Sequence, residues 1–378
     1  MRNKITTIIL TIVLIVLVIG SVALGMAIYR DIVGTNSEDI IYQIGNIITE
    51  EPKEKEDKNL NIANQGISGT AQANIANNAN TVQGDKSNTD ITMNRFFYNQ
   101  LVENQKIIYD KLFENKDKLK QGTYKIDFKE TFSKMLSDED GSKRLGQDYQ
   151  TAIEAFMHDN PDLFYIDVNK MYLNIKTTTK FLTTKNEVFI SAKDGETYLS
   201  DEFQDLEQIN AAINEIEKLK NKIINDLPES DYDKIMKIHD YLVDTIEYDS
   251  TYQAIGSYGI YGALIGKTCV CEGYAKSLKY LANAAGIKCE IMQGTATNSS
   301  GKTESHAWNC VKINGIWYEI DPTWDDPIIV GSGYKTNVFK YKYFLKGSNT
   351  FGKDHILSNQ FSQNGKEFEY PIISKRDY

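Results

Sequence analysis

Residues 5–28 form an uncharged run dominated by Ile, Leu and Val. At about 1.5 Å per residue a helix of this length spans roughly 36 Å, enough to cross a bilayer core of about 30 Å. Arg2 and Lys4 precede the run and mainly acidic residues follow it, so the positive-inside rule keeps residues 1–4 cytoplasmic and places the rest outside. The alternative is a cleaved signal peptide, but the run is longer than a usual signal core. We therefore predict a transmembrane signal anchor, and either alternative exports the chain.

Residues 29–93 are predicted to be a juxtamembrane segment followed by a disordered linker. Aromatic residues make up 11% of the chain, yet none lies between Tyr42 and Phe96, and residues 50–94 are rich in Asn, Gln, Lys and Glu. Such a segment cannot bury enough apolar surface to offset the entropy lost on ordering. We expect a tether that holds the folded part above the membrane, within the cell wall.

The charge balance argues against nucleic acid as a partner. The chain has 52 acidic and 42 basic residues, a net charge of −10, and no Lys/Arg cluster interleaved with aromatic residues. Binding to a phosphate backbone requires a basic patch. Nucleic acid is therefore an unlikely ligand.

Two folded parts follow the linker. Residues 94–228 are predicted to be an α+β accessory lobe, with helices near 96–118, 147–158 and 200–225 and strands near 124–128, 163–166, 171–173 and 187–191. This lobe contains no recognisable catalytic group. Residues 229–378 are predicted to be the catalytic domain, beginning with a helix near 231–248 on which His239 lies in the apolar stripe, as a buried core histidine does.

Cys271 is the predicted nucleophile. The pattern of apolar residues predicts a helix from Cys271 to Ala285, which Gly286 ends. Cys271 therefore lies in the first turn, where unpaired N–H groups and the helix dipole favour a thiolate. A lone cysteine at a helix start is more often a small core residue, so its partners decide the matter.

His306 and Asp321 are those partners. Asn314-Gly315 predicts a two-residue hairpin turn in which Ile313 pairs with Ile316. In that register Trp308 faces Asp321, and His306 is the diagonal neighbour of Asp321 on the same face, within reach of hydrogen bonding. One face of the hairpin is then core, and the other presents the histidine and the aspartate.

A thiolate, an imidazole and a carboxylate together suit acyl transfer. The thiolate attacks a carbonyl, an imidazolium holds the thiolate and later protonates the leaving amine, and the carboxylate fixes the tautomer of the ring. Trp308 and Trp324 either line the substrate cleft or are packing residues. Zinc held by the cysteines and His306 is disfavoured because Cys269-x-Cys271 has the wrong spacing. Cys269, Cys289 and Cys310 are interpreted as small buried residues, with a disulfide between Cys269 and Cys289 left open.

Three ordered motifs resemble the core of the bacterial transglutaminase-like superfamily, in the branch similar to the kyphoscoliosis peptidase. They are residues 270–275 (VCEGYA), 305–309 (SHAWN) and 317–324 (WYEIDPTW). The resemblance covers about residues 231–327. It implies an α+β fold in which the cysteine helix packs on an antiparallel sheet, with Cys271 as nucleophile, His306 as base and acid, and Asp321 as the orienting carboxylate. Nothing here resembles the calcium sites of the large animal transglutaminases, so no metal and no cofactor is expected.

The sequence thus predicts a membrane-anchored extracellular enzyme that transfers acyl groups from an amide through a thioester on Cys271. Water as acceptor would make it a peptidase or amidase, and a lysine amine would make it a transglutaminase. The substrate would be a peptide, a protein or a peptidoglycan-linked amide. The alternative is a catalytically silent cell-wall binding module with the same fold. The sequence does not determine the oligomeric state.

Overall fold

The computed structural model describes residues 58–63, 95–180, 183–326, 340–358 and 367–378. All of them belong to one compact unit, residues 45–378. The predicted anchor at 5–28 and all of the predicted linker at 29–93 except residues 58–63 lie outside the described ranges. Within those ranges, no helix has both the length and the apolar character needed to cross a bilayer.

The accessory lobe is an antiparallel sheet covered by helices; residues 163–166, predicted as a strand, instead form turns with a single bridge from Ile166 to Leu199. Its strands are β1 (Lys58–Ala63), β2 (Ile126–Lys129), β3 (Tyr172–Lys180) and β4 (Thr183–Ser191), and its helices are α1 (Glu103–Glu114), α2 (Lys116–Leu119), α3 (Gly141–Asp159) and α4 (Leu206–Asn225). The strand order is β1-β3-β4-β2. Helices α1 and α3 pack together over a core rich in Tyr and Phe. The core of the accessory lobe is thus rich in aromatic residues, which the linker sequence lacks.

Strand β1 corrects part of the linker prediction. Lys58–Ala63 pairs antiparallel with β3, from Lys58 opposite Thr177 to Ala63 opposite Tyr172. The segment reads Lys-Asn-Leu-Asn-Ile-Ala, an alternation of polar and apolar residues that is typical of a strand. The average composition of residues 50–94 conceals this short alternating pattern. The edge of β3 supplies backbone N–H and C=O groups with which β1 pairs.

The second lobe carries the predicted catalytic residues. Its helices are α5 (Asp231–Thr245), α6 (Cys271–Ala284), α7 (Pro322–Asp325) and α8 (Ser348–Phe351), and its strands are β5 (Glu247–Tyr248), β6 (Thr268–Cys269), β7 (Cys289–Thr297), β8 (Thr303–Ile313), β9 (Ile316–Ile320) and β10 (His355–Leu357). Strands β10-β7-β8-β9 form an antiparallel sheet, and β5 pairs with β6 in parallel. Helix α6 packs on β7 and β8. A cysteine-bearing helix on an antiparallel sheet is the arrangement expected from the sequence.

The β8–β9 hairpin has the predicted turn and register. Asn314 and Gly315 both have positive φ, 51° and 84°, the backbone that a two-residue type I′ turn requires. Ile313 pairs with Ile316, and Asn309 pairs with Ile320. The face carrying Asn309 is buried under α6, where the Asn309 amide donates to the Ala275 carbonyl at 2.9 Å.

The opposite face of the hairpin, on which the sequence places His306, Trp308 and Asp321, is partly covered by other side chains. Trp308 and Cys310 lie in a small core with Tyr343 and Phe351, which come from the chain after α7. The C-terminal segment also reaches the accessory lobe, because Phe368 packs at a ring-centroid distance of 5.3 Å from Phe97. The two predicted folded parts therefore share packing rather than standing as separate domains.

A buried ionic cluster joins the lobes behind α6. Lys279 of α6 and Glu290 of β7 are fully buried, and Lys279 Nζ lies 2.8 Å from Glu290 Oε2. Asp159 at the end of α3 lies 4.0 Å from the same ammonium. Burial opposes the charge of Lys279, but the two carboxylates outweigh burial and raise the pKa of Lys279. An accessory-lobe residue thus helps to fix the helix that begins at Cys271.

Replacing Lys279 should destabilise the protein strongly. In Lys279→Met the carboxylates of Glu290 and Asp159 lose their shared cation inside the protein, and we expect a loss of about 3–5 kcal/mol in the free energy of unfolding. Lys185→Met is the matched control, since Lys185 also contacts two glutamates, Glu130 and Glu187, but at the surface. Chemical denaturation should show no measurable loss in the control. Equal stability of the two variants would contradict the structural role of the cluster.

Candidate active site

Cys271 is the first residue of α6 and is partly exposed. Val270 precedes the helix in an extended conformation and donates its own N–H to the Ser257 carbonyl at 3.0 Å. A valine side chain has no acceptor for the N–H groups of the first turn, so these groups can serve a negatively charged ligand atom. Gly273 permits this packing, because a Cβ there would lie 2.5 Å from Cys269 Cβ and 2.7 Å from the Ser257 carbonyl oxygen.

His306 and Asp321 are in direct contact. His306 Nε2 lies 2.7 Å from Asp321 Oδ2, and the Asp321 side chain is fully buried. Asp321 comes directly after β9 and caps α7, because its Oδ1 accepts the Thr323 N–H at 2.9 Å. The contact orients the ring, and Nε2 faces a carboxylate, so Nδ1 is the nitrogen left to meet the thiol.

The electrostatics of the site favour a charged imidazole. Burial opposes protonation of His306, but the Asp321 charge, the hydrogen bond to Asp321 and a hydrogen bond with Cys271 outweigh burial and raise the pKa of His306 to about 10. For Asp321, burial favours the neutral form, yet the contact with His306 holds the pKa of its carboxyl well below the usual range. The imidazolium is therefore the dominant form of His306 at neutral pH.

The two candidate cleft tryptophans occupy different environments. Trp308 is 1% exposed, and its indole N–H donates to Glu319 Oε1 at 3.1 Å, which favours the packing alternative for this residue. Burial raises the pKa of Glu319 to about 7, although the Trp308 hydrogen bond opposes the shift. Trp324 is partly exposed, with its ring centroid 5.5 Å from that of His306, so it retains access to the site.

A second histidine, His355, also contacts Asp321. Its Nε2 lies 3.3 Å from Asp321 Oδ2, and its Nδ1 lies 2.8 Å from Asp354 Oδ1. The sequence does not identify His355 as a site residue, because His355 lies 34 residues beyond Asp321 and belongs to no recognisable motif. The available signal was weak: a histidine opening a three-residue strand in a chain with only four histidines.

Asp321 and the two histidines are also the described residues grouped closely enough to hold a metal ion, with donor atoms within 4.8 Å of one another. The Nε2 atoms of both histidines lie at hydrogen-bonding distance from the same Asp321 oxygen, so hydrogen bonds alone account for this arrangement. In the described part of the chain that group includes no cysteine, so the zinc alternative built on the cysteines gains no support. The three other cysteines are buried and unbridged: Cys269, Cys289 and Cys310.

The fold and the site define an α+β protein in which a cysteine at a helix N-terminus meets a histidine and an aspartate from an antiparallel hairpin. Residues 218–322 match the transglutaminase-like superfamily, described as Transglut_core. Residues 218–322 therefore form a transglutaminase-like domain within this chain.

Curated relatives agree with this assignment. The chain is 26% identical over 182 residues to the kyphoscoliosis peptidase of Mus musculus, a match that covers 42% of this chain and 27% of the mouse protein. The kyphoscoliosis peptidase of Homo sapiens is 28% identical over 123 residues, covering 29% of this chain and 18% of the human protein. The chain thus spans about a quarter or less of the length of these relatives. A solved structure described as a TGase shares 16% identity with a TM-score of 0.27, covering 39% of this chain and 44% of that one.

The charge state of His306 can be tested by nuclear magnetic resonance. The raised pKa means that the imidazolium persists above the ordinary value of about 6.5 and is lost near pH 10. In Asp321→Asn the carboxylate charge is gone, so we expect the pKa of His306 to fall by at least about one unit toward 6.5. The four histidine signals can be assigned by single replacements with glutamine.

Asp325→Asn is the matched control, because Asp325 is equally buried on the same helix but contacts His239 at 3.1 Å instead of His306. It should change the titration of His239 and leave that of His306 near the wild-type value. A His306 that titrates near 6.5 in the wild-type protein would refute the electrostatic description of the site.

Proposed function

We propose that this protein is a thiol enzyme that transfers acyl groups from amide or peptide substrates through a thioester on Cys271. The observation that carries the proposal is the position of the His306 ring, between the Asp321 carboxylate at 2.7 Å and the Cys271 thiol that hydrogen bonds to it. Membership in the transglutaminase-like superfamily supports a peptidase or acyltransferase. Each of the three residues alone is common; the contact between them is specific.

The first half-reaction follows from the proton positions. The Cys271 proton resides on His306, and the thiolate attacks the substrate carbonyl, forming a C–S bond and an oxyanion. The N–H groups at the start of α6 can stabilise this oxyanion, because Val270 supplies no competing side-chain acceptor. The oxyanion then collapses, the C–N bond breaks, and His306 gives its proton to the leaving amine. The product is a thioester on Cys271.

The second half-reaction depends on the acceptor. Water or a primary amine gives a proton to His306 and attacks the thioester carbonyl; the C–S bond then breaks, which regenerates the Cys271 thiolate beside the protonated His306. Water would release a carboxylic acid, and a lysine amine would form a cross-linking amide. The same three residues serve both outcomes, so the acceptor is determined by access to the thioester. We favour hydrolysis, since water is always present.

The decisive experiment incubates the purified protein with peptide libraries and cell-wall fragments, with and without a primary amine. Mass spectrometry should detect cleavage with a gain of water for hydrolysis, or amine incorporation for transamidation. Cys271→Ala should abolish both while leaving the melting temperature nearly unchanged, because Cys271 is partly exposed at a helix end. Cys269→Ala is the matched control and should retain activity. Turnover by Cys271→Ala would refute the assignment.

The alternative of a silent binding module gives a different result with iodoacetamide. For the enzyme we expect selective alkylation of Cys271 well below pH 8.5, the region of an ordinary thiol pKa. The buried Cys269, Cys289 and Cys310 serve as internal controls, because burial raises the pKa of each of their thiols. Labelling of Cys271 only above about pH 8.5 would favour the binding module.

We further propose that residues 5–28 anchor the protein in the cell membrane with the enzyme on the outside, facing the cell wall. The uncharged run and its flanking charges support this location. The full chain should fractionate with membranes and be digested by protease added to intact cells. Deletion of residues 5–28 should leave the protein inside the cell, in the soluble fraction. A shortened chain in the medium would indicate a cleaved signal peptide instead.

A further inference from the structure

His355 lies on the same face of the sheet as His306, two strands away. Gly294 of β7 pairs with His306 on one side and with Leu357 on the other, and His355 is two residues from Leu357, so the histidines share a face. Gly294 has no side chain to separate them, and the ring centroids lie 5.4 Å apart. A Cβ at Gly294 would lie 2.0 Å from the Ile356 carbonyl oxygen, so this glycine also allows β10 to approach.

The His355 ring is fully buried and closely packed. Its centroid lies 4.2 Å from that of Phe351, 4.5 Å from that of Trp324 and 5.3 Å from that of Tyr343. Such packing leaves the ring little freedom to rotate, and both of its nitrogens meet aspartate oxygens. A buried imidazole whose two nitrogens both meet defined partners makes specific polar contacts and does more than fill the core.

The hydrogen-bond inventory determines what His355 does. Ionised carboxylate oxygens only accept hydrogen bonds, so His355 Nε2 carries the hydrogen in its contact with the Asp321 carboxylate, while His355 Nδ1 faces Asp354 Oδ1. Asp354 is itself fixed, since its Oδ2 accepts the Tyr343 hydroxyl at 2.7 Å. This series of contacts from Tyr343 through Asp354 and His355 therefore ends on Asp321 Oδ2, the same oxygen that orients His306.

We propose that His355 is a positioning residue for the acyl-transfer site. Its Nε2–H and the Thr323 N–H hold the two oxygens of Asp321, so that the carboxylate keeps one orientation and His306 is directed at Cys271. His355 does not touch the reacting atoms; it acts through Asp321. The inference rests on the proposed function, because it assigns His355 to the support of that site.

Two amide variants separate this role from simple packing. His355→Gln places an amide N–H near the position of Nε2 and can still donate to Asp321. His355→Asn is one methylene shorter, so its amide lies near the position of Nδ1 and does not reach Asp321. The two variants are similar in polarity, and each keeps one of the two aspartate contacts: the Gln variant keeps that with Asp321, and the Asn variant keeps that with Asp354.

The full chain is measured in two ways. The first is the rate of iodoacetamide alkylation of Cys271 at neutral pH, and the second is the deshielded N–H proton of the short His306–Asp321 hydrogen bond in the proton spectrum. In His355→Asn we expect alkylation about tenfold slower and loss of the deshielded resonance, as for removal of a hydrogen bond to a charged group. In His355→Gln we expect most of the rate and the resonance to remain.

His239→Asn is the matched control. His239 is also fully buried between two aspartates, with Nε2 at 3.1 Å from Asp325 and Nδ1 at 3.3 Å from Asp240. It should lower the melting temperature while leaving both readouts unchanged. Wild-type behaviour of both His355 variants, or equal losses in both that follow the melting temperature, would overturn the proposal. An unreactive Cys271 in the wild-type protein would refute the proposed function instead, and the resonance would still decide the role of His355.

Discussion

The buried carboxylate of Asp321 is the constraint on which the rest of this site depends. A charge removed from water is costly unless several donors compensate it, and Asp321 receives three: His306, His355 and the Thr323 N–H. These donors come from β8, β10 and the first turn of α7. Formation of the hairpin, arrival of the C-terminal strand and initiation of the short helix are therefore all required to bury this one group.

The part of the site that could be predicted is the part in which local rules act. Asn314-Gly315 accepts the positive φ angles of a two-residue turn, that turn fixes the strand register, and the register places His306 and Asp321 on one face. The start of α6 at Cys271 followed from helical periodicity in the same way. Each step requires only residues close together in sequence.

What could not be predicted involves partners that are distant in sequence. His355 reaches Asp321 through a strand of three residues whose position depends on pairing with β7, and nothing near it in sequence records that pairing. Strand β1 was concealed in the same way by its polar surroundings. The covered face of the hairpin has this cause too, because Tyr343 and Phe351 pack on Trp308 from chain beyond the family motifs. Non-local contacts of this kind leave no periodic signal.

Contacts at two positions along the sequence hold helix α6, which begins at Cys271. At its first residue, Cys271 meets His306 and, through it, Asp321; two turns later, Lys279 meets Glu290 of β7 and Asp159 of the accessory lobe. A shift of α6 along the sheet would break the contact of Cys271 with His306 and would separate the buried charges of Lys279 and Glu290, which is costly in a medium of low polarity. The accessory lobe therefore supports the candidate site without supplying a residue of the Cys271–His306–Asp321 group: Asp159 helps to fix the helix, and the helix fixes the sulfur against the imidazole.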